Sequence, residues 1–224
     1  KLIVGHLVDA TMLTNLFVPF IDSFVATPLR NPYDIFWAQG LTDSFPYPAA
    51  MLYIQALPVF LLNLIGFSAF TGLTYILPQL LADIVILLIL CRWRRQHVNT
   101  VLWLYWASPV LFYITYMHGQ LDVIAMALAF LAIYFLFLNR LIVAACLLGL
   151  GIATKLHLLL ILPFLLVYLW QTDRRVWPPL VFSVVCGVVF FAINLPYIFS
   201  EGFQNIVLLN SQQSKVGQIT FNFG

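Results

Sequence analysis

The sequence predicts an all-α fold: a polytopic bundle of membrane helices with a large extramembrane loop near its start. Three observations carry this. Hydrophobic side chains make up 63% of the 224 residues and charged ones only 8%, against about 25% charged in ordinary soluble domains. Mean hydropathy is +1.00, more apolar surface than a water-soluble core can hide. The apolar runs are continuous and lack the alternation of barrel strands, and lipid admits only helices and closed barrels. Cys91, Cys146 and Cys186 lie in these runs and read as small hydrophobes, with neither disulfide nor metal spacing.

Taken in order, residues 1–8 read as the tail of a spanning segment that turns polar at His6 and Asp9. Residues 9–48 are mixed, with Asp22, Arg30, Asp34 and Asp43 among five prolines, and read as a long extramembrane loop with short amphipathic pieces. Within it, Asn31-Pro32-Tyr33-Asp34 marks a turn or helix start, with proline early in the helix. Residues 45–66 are apolar and almost long enough to span, with Pro58 inside. Further apolar runs cover 73–91, 99–116, 122–138, 141–170 and 177–199; the fourth is interrupted at Thr154, Lys155 and His157. The chain thus reads as a single transmembrane domain over 1–224, expected to continue in a longer protein at both ends. Its parts are a first-helix tail and outer loop (1–72), six membrane segments (73–199) and the start of a second outer loop (200–224).

Charge sets the expected topology. The positive-inside rule places Arg92, Arg94, Arg95, Arg140, Arg174 and Arg175 in the cytoplasm. The chain then turns outside at His118–Asp122 and again near Lys155. Asp9, Asp22, Asp34, Asp43, Asp122 and Glu201 fall outside, and Asp173 alone among the acids falls inside. The segments flanking Lys155 are only about 13 residues each, where a span needs about 20. They read either as short or tilted crossings or as one long helix with Lys155 in mid-membrane. An odd number of crossings is needed between Asp9 and Arg92, and 73–91 supplies one. Residues 45–66 are therefore read as a helix in the outer interface, or one that dips in and returns; the other reading is a full span that breaks the rule once.

Polar groups at breaks in apolar runs are the candidate chemistry, because an ionised group inside hydrocarbon is costly and marks function or pairing. Asp9 beside His6, or Asp22 in the same loop, reads as a general base or as a solvated loop acid. His118 and Asp122, with Gln120 between, are four apart. They read as a pair on one helical face, as part of a metal or phosphate site with Asp9 as a further ligand, or as a polar cap after a helix broken by Gly119. Lys155 with His157 reads as a phosphate-binding pair, or Lys155 as a snorkelling side chain. Asp83, mid-run, is expected to face protein as a polar support. Nothing in the chain has the spacing of a phosphate loop, a zinc helix or a basic-aromatic nucleic-acid surface.

Several short blocks occur in a specific order: Gly5-His6 with Asp9; Asn31-Pro32-Tyr33; Phe45-Pro46-Tyr47-Pro48; LPQLLAD at 77–83; Trp106, Ser108-Pro109 and HGQLD at 118–122; GLGIATKLH at 149–157, followed by LPF at 162–164. This order, covering nearly the whole chain, resembles the GT-C superfamily of multi-spanning glycosyltransferases, especially the mannosyltransferase-like branch that uses polyprenyl-phosphate sugars. The resemblance implies a GT-C-type bundle with interfacial helices in the first outer loop. It implies a catalytic base near the start of that loop, matched better by Asp9 than by Asp22. Lys155 and His157 match the part near the donor phosphate, although His157 stands where an aromatic residue or proline would be expected. His6, His118, Gln120 and Asp122 match the acceptor side and cavity rim.

The implied reaction is inverting transfer of a mannose-like hexose from dolichyl or undecaprenyl phosphate to a glycan, lipid or protein acceptor on the outer or lumenal side. The implied setting is the plasma membrane of a prokaryote or the endoplasmic reticulum of a eukaryote, in contact with membrane lipids and no nucleic acid. Cofactor use stays open between none and a divalent cation, Mg or Mn, with Asp9 and Asp122 as the candidate ligands. A non-catalytic subunit of a glycolipid complex, or a lipid or polysaccharide transporter, would need the same helices and is the alternative.

Overall fold

The computed structural model describes residues 13–64, 66 and 71–209, and all regular secondary structure among them is helical. His6 and Asp9 lie outside the described residues. A π-helical turn, Leu13–Phe17, leads into α1 (Val18–Ala26), which carries Pro19 in its first turn. Helix α2 (Pro32–Ala38) begins where the sequence places a start. Asn31 caps it by accepting from the Tyr33 amide at 3.0 Å, and proline fills the first position, where no amide donor is needed. Helix α3 (Ala49–Leu64) has 16 residues and runs through Pro58 unbroken. At 1.5 Å per residue it is about 24 Å long, short of the hydrocarbon thickness.

The proline-rich loop has its own aromatic core. Phe20 stacks on Phe45 at 4.8 Å and meets Tyr33 and Phe36 at 5.0 and 4.8 Å, while Phe17 packs edge-on against Phe45 and Tyr47. Each such pair adds about 0.5–1.5 kcal/mol beyond the area it buries. The buried Tyr33 hydroxyl donates to the Tyr47 carbonyl at 2.9 Å, tying α2 to the segment before α3. This gives a polar, turn-rich stretch a fixed shape.

Helix α4 (Thr71–Trp93) is the longest among the described residues, with 23 residues. After Arg95–His97 the chain is a series of short pieces: α5 (Val98–Val101), a π-turn at Leu102–Trp106, α6 (Pro109–Phe112) and a second π-turn at Tyr113–Met117. One continuous run over 99–116 is thus corrected to a broken one. Pro109 has no amide to donate, so the previous helix stops, and Ser108 caps the next by accepting from the Leu111 amide. The chain bends by 120° between Pro109–Met117 and Asp122–Phe137, with Gly119 at φ 82° in the turn.

Helices α7 (Asp122–Phe137) and α8 (Leu141–Ile152) form a hairpin closed by Asn139 at φ 58°. A 3-10 turn, Leu156–Ile161, leads into α9 (Leu162–Asp173), ended by left-handed Arg174 at φ 54°. The two run on as one apolar stretch, Leu156–Asp173, longer than the sequence reading of that segment. Helix α10 (Trp177–Asn194), the single turn α11 (Glu201–Phe203) and a π-helical turn, Gln204–Leu208, are the last described elements. Small residues let helices approach closely. Ala125, Ala129 and Ala132 line α7, and a Cβ on Gly149 of α8 would stand only 2.7 Å from the Cys186 carbonyl oxygen of α10.

Three helices among the described residues are long and apolar enough to cross a membrane: Leu73–Trp93, Leu156–Asp173 and Trp177–Asn194. The bent pair makes up to four. Phe164, Val167, Val188 and Phe191 point outward and exposed, which suits lipid and not water. The protein is a polytopic helical bundle, as the composition predicts.

Side-chain contacts sort the charges to two ends. Trp93 lies against Phe130, Tyr134 and Phe137, and Phe137 against Tyr168, so Arg92–Arg95, Arg140 and Asp173–Arg175 share one end. At the other end the start of α3 is pinned to two helix ends. The Ala49 amide donates to the buried Asn194 Oδ1 at 3.0 Å, and the Ala50 amide donates to the Ala153 carbonyl at 3.1 Å. Asp122 and Lys155 are also at this end. Glu201–Phe203 closes over α2, where the Gly202 amide donates to Asp34 Oδ1 at 2.8 Å.

Candidate active site

Helix α4 presents Tyr75, Gln79 and Asp83 four residues apart, hence on one face, and all three are buried. The polar ends of Tyr75 and Asp83 meet partners from elsewhere in the chain, whereas the Gln79 amide has none among the described residues. The Tyr75 hydroxyl donates to the Asp22 carboxylate. Asp83, 4% exposed, accepts from the hydroxyls of Tyr105 and Tyr116 at 2.6 and 2.8 Å. The two tyrosines come from the π-turns of the broken segment, whose irregular spacing lets both reach one carboxylate. An acid in an apolar helix is thus held by charge-assisted hydrogen bonds. Asp83 does face protein, where the phenols of Tyr105 and Tyr116 hold it.

Asp122 and Lys155 meet at the polar end of the bundle as an ion pair. Asp122 is in the first turn of α7, where its charge also suits the positive helix end. Lys155 follows the break after α8, at an extended φ of −151° that aims it across to α7. Tyr47 stands close by. Burial, and then the charge of Asp122, push its phenol above the ordinary value, against an opposing hydrogen bond with the Leu121 backbone.

His118 does not share a helical face with Asp122. It precedes the helix, half-buried, with its ring parallel to that of Tyr113 at 6.3 Å. Gly119 breaks the preceding segment because its left-handed backbone suits glycine. Of the cap reading of this block, the glycine break and Asp122 in the first turn of α7 are observed, but the cap position is Leu121 with no side-chain cap hydrogen bond, and Asp122 pairs with Lys155 instead. Lys155 and His157 separate: His157 is exposed on the 3-10 turn while Lys155 turns inward. Asp22 is surface-exposed apart from its tyrosine partner. Among the described residues, no three His, Cys, Asp or Glu side chains are grouped as a metal site would require.

A cleft of about 200 Å³ opens between α4, the broken segment and α7. Asp83, Tyr105, Gln120 and Asp122 line its polar part, and Ile86, Leu90, Met126 and Phe130 line the rest. Along α4 it runs from Asp83 to Leu90, about 10 Å at 1.5 Å per residue. The cleft therefore pairs a polar head with an apolar body, the shape and chemistry of a site for an amphiphile. Tyr75, Tyr105, Tyr116 and Tyr47 went unrecognised in the sequence. Only the four-residue spacing of Tyr75, Gln79 and Asp83 was there to be read.

The model of glycosyltransferase family 87 matches residues 45–220, well over half of the chain. The chain belongs to glycosyltransferase family 87. No match was found among curated proteins or among solved structures. As a family 87 member the protein is a membrane-embedded transferase that moves a sugar from a donor to an acceptor, and the non-catalytic and transporter alternatives give way to an enzyme. The matched span includes Asp83, His118, Gln120, Asp122, Lys155 and His157; Asp9 and Asp22 precede it.

Proposed function

We propose that this family 87 enzyme transfers a mannose-like hexose from a polyprenyl-phosphate donor to a glycan, lipid or protein acceptor, with inversion, on the outer or lumenal side. The observation that carries this is the cleft between α4 and α7, polar at Asp83 and Asp122 and apolar beyond Ile86. A phosphate-linked sugar fits the first part and a prenyl chain the second. The charge distribution supports the side: with Arg92, Arg94, Arg95, Arg140, Arg174 and Arg175 in the cytoplasm, the polar end of the cleft faces away from it.

In this reading Asp9 is the base and Asp22 the alternative. The acceptor hydroxyl oxygen bonds to the anomeric carbon, and its proton passes to the aspartate. The bond from that carbon to the phosphate oxygen breaks, and its electron pair stays on the phosphate. Phosphate leaves without an acid, so one carboxylate suffices. Lys155 is paired with Asp122, which lines the polar end of the cleft, and in this reading it stabilises the charge growing on the leaving phosphate. His118 and Gln120 stand at the rim, on the acceptor side.

The test is Asp9→Asn and Asp22→Asn in full-length protein, assayed in membranes with radiolabelled polyprenyl-phosphate mannose. The expected result is loss of transfer in Asp9→Asn, with expression and donor binding kept. Loss only in Asp22→Asn moves the base to Asp22. Unchanged transfer in both removes the mechanism.

A further inference from the structure

We infer that Asp122 competes with the substrate phosphate for Lys155, so that the ion pair works as a release device in the transfer cycle. This rests on the proposed polyprenyl-phosphate donor and deepens it. Three observations carry it. Lys155 is already paired, with Asp122, so a phosphate must share or take the lysine. The pair is reachable, with side-chain exposures of 27% and 39%, and a pair so placed is easily exchanged. Asp122 lines the cleft itself, so its carboxylate and a bound phosphate would stand at the same cation.

The direction of exchange follows from charge. The donor is a phosphodiester with one negative charge, equal to that of Asp122. When the anomeric C–O bond breaks, its electron pair stays on phosphate, and the product monoester carries a charge of about −1.5 to −2. Lys155 is then drawn from Asp122 toward phosphate as the transition state forms, an interaction that is stronger there than in the ground state. Once the acceptor product has left, Asp122 draws the lysine back and weakens the hold on polyprenyl phosphate. Without Asp122, Lys155 would hold the phosphate product unopposed.

This predicts opposite effects from the two members of one ion pair. Asp122→Asn and Asp122→Ser should each bind undecaprenyl phosphate more tightly than wild type, by about fivefold, the scale of losing one partly exposed charge partner. Lys155→Met should bind it more weakly by at least as much, because Asp122 is then left unpaired beside the phosphate. The measurement is binding of undecaprenyl phosphate to the full-length protein in nanodiscs, with thermal unfolding recorded for every variant. In turnover, the Asp122 variants should show stronger inhibition by undecaprenyl phosphate and a lower kcat. A pair with only a structural role would lower the unfolding temperature in all three variants and shift binding the same way in all; that result overturns the inference. If wild type binds undecaprenyl phosphate while both Asp122 variants bind it equally or more weakly, the inference falls and the donor assignment stands. If wild type does not bind it at all, both fall together.

Discussion

Gly202 is the position where adding one methyl group should undo the docking of the two polar loops. A Cβ built there would lie 2.3 Å from both the carbonyl carbon and oxygen of Tyr33 and 2.5 Å from the Asp34 nitrogen. These are backbone atoms at the start of α2, so no side chain can rotate away. Restoring a contact of 3.0 Å requires the two segments to part by about 0.7 Å. That movement stretches the 2.8 Å hydrogen bond from the Gly202 amide to Asp34 Oδ1 and shifts Phe203, which packs on Tyr33 at 5.0 Å. Overpacking alone costs about 1–3 kcal/mol, and weakening a hydrogen bond to a charged acceptor adds to it. Gly202→Ala should therefore destabilise by roughly 2–4 kcal/mol, lowering the unfolding temperature by roughly 4–16 °C for a chain of this size. Gly187→Ala is the matched control, because a Cβ at that α10 position meets nothing within 4 Å. It should be neutral or slightly stabilising, since alanine favours the helix. The assay is thermal unfolding of purified full-length protein, followed by intrinsic fluorescence. If Gly202→Ala unfolds at the same temperature as Gly187→Ala, the close docking of 201–203 on α2 is wrong.

Gln55 and Gln79 are fully buried on the inner faces of α3 and α4, and neither amide has a hydrogen-bond partner among the described residues. Gln55→Leu and Gln79→Leu should each raise the unfolding temperature, by removing a desolvated polar group that costs about 1–3 kcal/mol; a fall in either would show the amide to be satisfied. Burial holds the phenols of Tyr33 and Tyr47 above their ordinary value of 10.0. The folded state keeps those protons longer than the unfolded state does. Their contribution is thus complete below pH of about 10 and is lost as pH rises above it. The unfolding temperature should be insensitive to these groups at neutral pH and fall in alkali, and Tyr47→Phe should make that alkaline fall shallower.

Much of the protein was legible in one dimension because membrane insertion is decided locally. A run of apolar residues must satisfy its own backbone in lipid, so composition and run length were enough for the helical class. The separation of arginines from acids along the chain foretold the two ends of the bundle. Asn31-Pro32 marked the start of α2, since a cap acts within three residues. The ordered short blocks pointed to a GT-C-like glycosyltransferase, and the family 87 match bears out a membrane glycosyltransferase.

What the sequence could not specify was which polar groups meet, because pairing depends on the rotation and register of helices far apart in the chain. Lys155 and His157 are neighbours in sequence, yet the extended backbone after α8 sends Lys155 to Asp122 and leaves His157 exposed. His118 and Asp122 have helical spacing but no common helix, because Gly119 turns the chain between them. Asp83 was recognisable as an acid that needed partners. Its tyrosines come from 22 and 33 residues away, on a segment whose π-turns no apolar pattern records. Sequence by itself determined that this chain lives in a membrane as helices, with its charges sorted to two ends. Tertiary structure alone decided that Asp83, Tyr105, Gln120 and Asp122 converge on one amphiphilic cleft, since a buried charge takes whichever partner the packed helices bring within reach.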